Sequence, residues 1–354
     1  MCVVTFDWEE NDAVEKFKNF DKNKSISWAV LELTDYCNLN CKWCFANAGA
    51  VKRPVHISIK DVKKIVNTLA EAGVSQITYS GGEPTLYPHL KEAVRVARNC
   101  DMVVHMNTNG YIFTESMASE LKKAGLSQVQ INIDSICPEK HNSVRGKEES
   151  FERAIKALNN ARKIGITCVS QTVLTKENEN EIVKIFKLAR SFGLQRCRIW
   201  DMTPSPGCAT KNAHLMPRDY LRVLQKTADF AYENYAKHVE IGDPMFMPHI
   251  KTKLKMSGGY CVSAAGMIIY ISTKGDVYFC CTSRHKMYNM FEEVKKGNDI
   301  TDSHKKGIKR YLEKFKEFGE CQKCKYGNKC KGGCYTRRNF SENNKDYWCK
   351  KCNS

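Results

Sequence analysis

Three cysteines stand close together near the start of the chain. In LELTDYCNLNCKWCFANAG they read Cys37-x3-Cys41-x2-Cys44. Three thiolates in one loop hold three irons of a [4Fe–4S] cube and leave the fourth iron open to a ligand. Zinc is the competing chemistry, but tetrahedral zinc needs a fourth ligand. The next cysteine is Cys100, and the nearest imidazole, His56, sits at no usual spacing. A second array fills the other end: Cys261, Cys280 and Cys281, then Cys321-x2-Cys324-x5-Cys330-x3-Cys334, then Cys349 and Cys352. Taken alone, Cys321–Cys334 also suits a zinc ribbon. The chain has 18 cysteines and shows no export signal, so short regular spacings point to metal rather than disulfides. Cys2, Cys100, Cys137, Cys168, Cys197 and Cys208 are scattered singly, and most of them read as small buried hydrophobes.

The elements that must position these groups alternate. Short β-rich runs at Trp28–Leu33, Gln76–Tyr79, Met102–Asn107, Gln128–Asp134, Thr167–Leu174 and Arg196–Asp201 are separated by amphipathic helical stretches. Gly73, Gly125, Gly165 and Gly193 each follow a helix, where a left-handed cap is wanted. Six strand–helix units in series predict an α/β fold, a parallel sheet closing into a partial (β/α)6 barrel. Functional groups then belong at the carboxyl ends of the strands. The cysteine triad follows the first strand, and SGGEPTLYP, with Gly81-Gly82-Glu83-Pro84, follows the second. HMNTNG presents Asn107 and Asn109 after the third, and INIDS places Asn132 and Asp134 on one face of the fourth.

The alternation breaks at Thr203–Gly207, helical segments follow around Arg218–Ala236, and Gly258-Gly259 opens the cysteine-rich remainder. There Met267–Ile271 and Asp276–Phe279 flank Thr273–Gly275 as a β-hairpin. The expected organisation is an N-terminal extension (1–27), a barrel (28–210), a helical linker (211–258) and a cysteine-rich C-terminal domain of hairpin plus helices (259–354).

The net charge of +17, from 56 Lys plus Arg against 39 Asp plus Glu, is spread along the predicted helices. It reads as a solvated surface rather than a nucleic-acid footprint. No apolar run approaches the ~20 residues that span a bilayer. The expectation is a cytoplasmic protein without a membrane partner.

The triad, with Trp43 before its last cysteine, resembles the signature of the radical S-adenosylmethionine (SAM) superfamily. The resemblance implies that Gly81, Gly82, Glu83 and Pro84 meet the SAM amino group, with Trp43, Asn109, Asn132 and Asp134 around the cofactor. HNSVRGKEESFERAI is similar to a segment whose arginine, here Arg145, pairs with the SAM carboxylate. It also implies reductive cleavage of SAM to a 5′-deoxyadenosyl radical that abstracts hydrogen from an unactivated C–H bond. The C-terminal array is similar to the SPASM domain, which carries up to two auxiliary [4Fe–4S] clusters. By that resemblance Cys261, Cys280 and Cys334 bind the first, and Cys321, Cys324, Cys330 and either Cys349 or Cys352 bind the second. Two departures stand out. Met256–Tyr260 lacks the further upstream cysteine of some relatives, and Cys281 stands where sulfatase-maturing relatives place an aspartate base. Either Cys281 completes the first auxiliary cluster or one iron there stays open.

The expected activity is oxidative modification of a peptide or protein, by crosslinking or dehydrogenation. Its rivals are oxidation or decarboxylation of a small metabolite, and a non-enzymatic iron–sulfur electron carrier. The expected partners are the substrate and an electron donor such as flavodoxin or ferredoxin. With only 27 residues before the first predicted strand, peptide recognition calls for a separate leader-binding protein or direct binding.

Overall fold

A computed structural model describes residues 3–9, 26–203, 213–315, 324, 330, 333–339, 346 and 349. Its centre is a run of six parallel strands: β2 (Trp28–Thr34), β3 (Gln76–Gly81), β4 (Val103–Thr108), β5 (Leu126–Asn132), β6 (Thr167–Leu174) and β7 (Arg196–Asp201). The helices between them cover one face: α1 (Ile59–Glu71), α2 (Leu90–Asn99), α3 (Glu115–Ala124), α4 (Pro138–Arg145), α5 (Ser150–Lys163) and α6 (Ile182–Ser191). Local signals set their ends. Ser58 and Thr114 accept backbone N–H bonds at the starts of α1 and α3, and α1 buries Val62, Ile65, Val66 and Leu69 on one stripe.

The six strands were all foreseen, with β5 starting two residues earlier than expected. Their alternation is unusual for a parallel sheet, where strands are normally apolar on both faces. Val104 and Met106, Val129 and Ile131, and Cys197 and Ile199 are buried in the core, while His105, Gln128, Gln130, Arg196 and Arg198 line a central lumen. The sheet is a partial barrel with a polar interior.

The sheet also runs further than the sequence indicated. β1 (Val3–Asp7), within the segment read as an extension, pairs antiparallel with β7. β8 (His238–Ile241) pairs with β1, and β9 (Lys255–Gly258) with β8, beyond α7 (Pro217–Glu233). At the other edge the expected hairpin forms as β10 (Ile268–Ile271) and β11 (Asp276–Tyr278), and β10 lies parallel beside β2. β12 (Lys286–Asn289), α8 (Met290–Lys295), α9 (Ile300–Glu313) and α10 (Tyr335–Asn339) follow. Among the described residues twelve strands thus form one sheet. Among the described residues no helix is long and apolar enough to cross a membrane.

Candidate functional site

The cysteine loop leaves β2 and is held from several sides by backbone. Cys37 N–H donates to Ala48 O at 3.2 Å and Lys42 N–H to Val144 O at 2.9 Å. Gly82 N–H and Glu83 N–H donate to Thr34 O and Tyr36 O at 2.7 and 2.8 Å. A Cβ on Gly81 would stand 2.2 Å from Thr34 O, and one on Gly82 2.0 Å from Tyr36 O. The glycine pair is therefore needed to let β3 dock against the cysteine loop, before any ligand is considered. Cys37, Cys41, Trp43 and Cys44 all line the lumen, which has a volume of about 1400 Å3, and the three cysteines are half-buried.

Glu83 is 1% exposed and ties the ends of β3 and β4 together. Its Oε1 accepts from Thr85 N–H and from the Thr85 and Thr108 hydroxyls, at 3.0, 2.5 and 2.7 Å. Its Oε2 accepts from Asn109 N–H at 2.7 Å. Burial raises its carboxyl from the usual range, and these bonds oppose the rise. Pro84 is buried and starts the short turn Pro84–Leu86. Asn109 Nδ2 donates to Asn38 Oδ1 at 2.8 Å and lies 3.6 Å from Cys37 Sγ.

Asn107, Asn132, Asp134 and Arg145 line the same lumen. Arg145, the last residue of α4, forms an ion pair with Asp134 and points Nη1 at Cys41 Sγ, 3.7 Å away. Asp134 Oδ1 accepts Val173 N–H at 3.0 Å. Arg145 Nε is buried and has no hydrogen-bond partner among the described residues. Burial, with the Glu83 charge added, pushes the Cys37 thiol up to about 12; burial also raises Cys41, against the pull of Arg145.

The C-terminal cysteines sort differently. Cys261, Cys280 and Cys334 surround one small pocket with Phe279, Thr282 and Tyr335. Cys281 instead lines the main lumen beside Tyr270. Its S–H donates to Cys280, which lowers the Cys280 thiol and raises its own. Cys324 is exposed, Cys330 and Cys349 are half-buried, and Cys321 and Cys352 lie outside the described residues. Among the described residues no three His, Cys, Asp or Glu side chains converge on a single ion.

Two features escaped the sequence reading. One is the polar lumen below the triad, whose signal was the polar member of each strand alternation. The other is Arg337, fully buried in α10, with Nη1 2.9 Å from Asp201, Nη2 2.7 Å from Asp243 and Nε 2.9 Å from Asp346. Asp346 also accepts Cys334 N–H at 2.8 Å, and Asp201 ends β7 on the lumen wall. One arginine joins the barrel, β8 and the cysteine-rich module, across sequence distances that no local pattern reports.

The profile of the radical SAM superfamily matches residues 31–189. The AdoMet-dependent heme synthase of Oleidesulfovibrio alaskensis is 27% identical over 325 residues, covering 88% of this chain and 82% of that protein. The mycofactocin maturase MftC of Mycolicibacterium smegmatis is 28% identical over 343 residues, covering 93% and 82%. Among solved structures, Streptococcus suis SuiB bound to S-adenosylmethionine superposes with a TM-score of 0.71 at 17% identity, over 97% of this chain and 84% of that one. SuiB bound to the precursor peptide SuiA gives the same TM-score of 0.71. At that identity the likeness is one of fold.

Proposed function

The chain belongs to the radical SAM superfamily, and from that premise we propose that it oxidatively modifies a peptide or protein side chain, with Cys37, Cys41 and Cys44 ligating its catalytic cluster. It is an iron–sulfur enzyme whose cofactors are a [4Fe–4S] cluster and SAM. When bound, these supply a 5′-deoxyadenosyl radical for hydrogen abstraction.

The chain's residues bind and orient around that chemistry. Glu83 Oε2 accepts one bond and keeps capacity for the SAM ammonium, while Arg145 Nε is available to its carboxylate. Trp43, Gly81, Gly82, Asn109, Asn132 and Asp134 form the surrounding wall, and Pro84 fixes the turn behind it. Cys261, Cys280 and Cys334 hold a first auxiliary cluster. Cys321, Cys324, Cys330 and either Cys349 or Cys352 hold a second. In this reading the barrel occupies 28–210 and the auxiliary module 259–354, while the segment 211–258, expected as a helical linker, adds α7 and the strands β8 and β9 to the sheet.

The observation that supports a peptide substrate is the size and reach of the lumen. Pockets for one small ligand are typically about 300–1,000 Å3. Here about 1400 Å3 runs from the triad past Asn132 and Trp200 to Tyr270 and Cys281, room for SAM together with an extended segment. A whole-length relative is named a maturase, which agrees. A second reading, oxidation or decarboxylation of a small carboxylate-bearing metabolite, has its own support. Arg198 Nη1 reaches Gln130 in the lumen at 2.7 Å, and its Nε is buried without a hydrogen-bond partner among the described residues. A guanidinium so placed suits a substrate carboxylate.

The test is anaerobic reconstitution with iron and sulfide, then SAM, reductant and the product of any small open reading frame beside the gene. Deoxyadenosine formation with loss of two hydrogens from the peptide is the expected result. Deoxyadenosine with no peptide change, but turnover of a tetrapyrrole carboxylate, would move the assignment to the second reading. An electron carrier forms no deoxyadenosine at all.

A further inference from the structure

We propose that Arg145, held by Asp134, and Asn109 set the reduction potential of the catalytic cluster through hydrogen bonds to its thiolates, and so are positioning residues for the electron as well as for SAM. This rests on the reading of Cys37, Cys41 and Cys44 as cluster ligands. The thiolates meet aimed donors. Cys37 Sγ faces Leu39 N–H at 3.5 Å and Asn109 Nδ2 at 3.6 Å, and Cys41 Sγ faces Arg145 Nη1 at 3.7 Å. None of these donors is adventitious. Asn109 is fixed by Asn38 Oδ1 at 2.8 Å and by its own N–H on Glu83 at 2.7 Å. Arg145 is fixed by the Asp134 ion pair, and Asp134 by Val173 N–H.

An N–H donated to a cluster thiolate draws negative charge off the sulfur and favours the reduced, more negative cluster. Arg145 adds a full positive charge at the same point, and Asp134 cancels part of it. The two members of the pair therefore push the potential in opposite directions. Arg145 makes the cluster easier to reduce, and Asp134 makes it harder. Because Nε of the same guanidinium is available to the SAM carboxylate, cofactor binding draws on the group that polarises Cys41. SAM occupancy and cluster potential are thereby coupled through one side chain.

The experiment is a redox titration of the reconstituted full-length protein without SAM, read by the electron paramagnetic resonance signal of the reduced cluster that a Cys37/Cys41/Cys44→Ala triple variant lacks. Arg145→Gln should lower the reduced-to-oxidised ratio at a fixed applied potential about tenfold, which is 59 mV for a one-electron couple. Asn109→Ala should lower it by less, since a neutral donor is lost. Asp134→Asn should raise it. Opposite signs for Arg145→Gln and Asp134→Asn cannot come from a merely loosened loop, which would shift both alike. A full signal with unchanged potential in both variants, or shifts of the same sign, overturns the proposal. If Arg145→Gln fails to retain the cluster, Asn109→Ala, expected to lower the ratio, and Asp134→Asn, expected to raise it, carry the test by the same rule. A triple variant that keeps the signal would instead refute the assignment of the triad, a separate failure.

Discussion

The two groups of cysteines are built to opposite plans. The N-terminal triad sits on one short loop at the carboxyl end of β2, half-buried, and opens onto a large lumen with polar walls. The C-terminal trio of Cys261, Cys280 and Cys334 comes from three separate places in the chain and encloses a small pocket among Phe279, Thr282 and Tyr335. Phe279 stacks on Tyr311 with ring centroids 4.0 Å apart, and Phe315 and Tyr335 pack around them. An open site suits exchange of ligands; a closed one suits a permanent group shielded from solvent. On the proposed reading, position in the fold, rather than the number of thiolates, separates the reacting centre from the supporting one.

The largest effect should come from the triad. Replacing Cys37, Cys41 and Cys44 with alanine should abolish SAM cleavage while the auxiliary iron stays bound. Reconstituted wild type should carry roughly eight to twelve irons per chain and the variant about four fewer. Deoxyadenosine production by the variant would erase the distinction between the two regions. Wild-type iron near four, or stoichiometric zinc, would remove the auxiliary clusters altogether.

Next in size is the link between the regions. Arg337→Leu leaves Asp201, Asp243 and Asp346 buried without their shared cation. Breaking a buried ion pair typically costs about 3–5 kcal/mol. Thermal or denaturant unfolding should show a loss of that order, and a neutral result would mean the module is held by its metal alone.

Affinity for SAM provides a finer probe of the open site. Glu83→Gln preserves shape and removes charge, so SAM should bind roughly tenfold to a hundredfold more weakly, the equivalent of about 1.5–3 kcal/mol. Calorimetry that finds an unchanged dissociation constant would place the SAM ammonium elsewhere.

A pH effect should arise at the seam. Burial, chiefly, with the neighbouring Asp243 and Asp346 charges, raises Asp201 to about 7 despite Arg337, against an ordinary 3.8. The folded state therefore keeps a proton that the unfolded chain releases first. This contribution to stability is complete below about pH 4 and is lost as pH rises to about 7, by a few kcal/mol at most. Asp201→Asn should flatten that slope between about pH 4 and 7 in denaturant titrations. An unaltered slope would assign the proton to another carboxyl.

The smallest expected effect sharpens the comparison most. Cys281→Ala should leave iron content unchanged, because Cys281 lines the lumen while Cys280 faces the trio. Loss of about four irons would make Cys281 the fourth ligand. If the auxiliary cluster survives and its spectrum shifts on adding a thiol peptide, its fourth iron is open to substrate.

Residue order by itself determined the parts whose signals are local. Hydrophobic periodicity, helix caps and glycines delivered the six parallel strands, five of the six helices between them and the β10–β11 hairpin; α4, the short helix that ends at Arg145, was not foreseen. The spacing of Cys37, Cys41 and Cys44 marked the loop after β2, and the neighbouring motifs marked the strand ends facing it. Only the tertiary structure decided which distant groups meet. β1 looked like an extension because five residues carry too little pattern, yet it pairs along β7. Gly81 and Gly82 suggested approach to a ligand, and their nearest neighbours are backbone carbonyls of the cysteine loop. Arg145 was expected to await a carboxylate, and the fold supplies Asp134 as its ion partner and Cys41 beside it. The Arg337 cluster joins positions 201, 243, 337 and 346, and Cys280 and Cys281, adjacent in sequence, face different cavities. Buried charges find partners across whatever sequence distance the sheet closes, so their pairing is a property of topology that neighbouring residues do not encode.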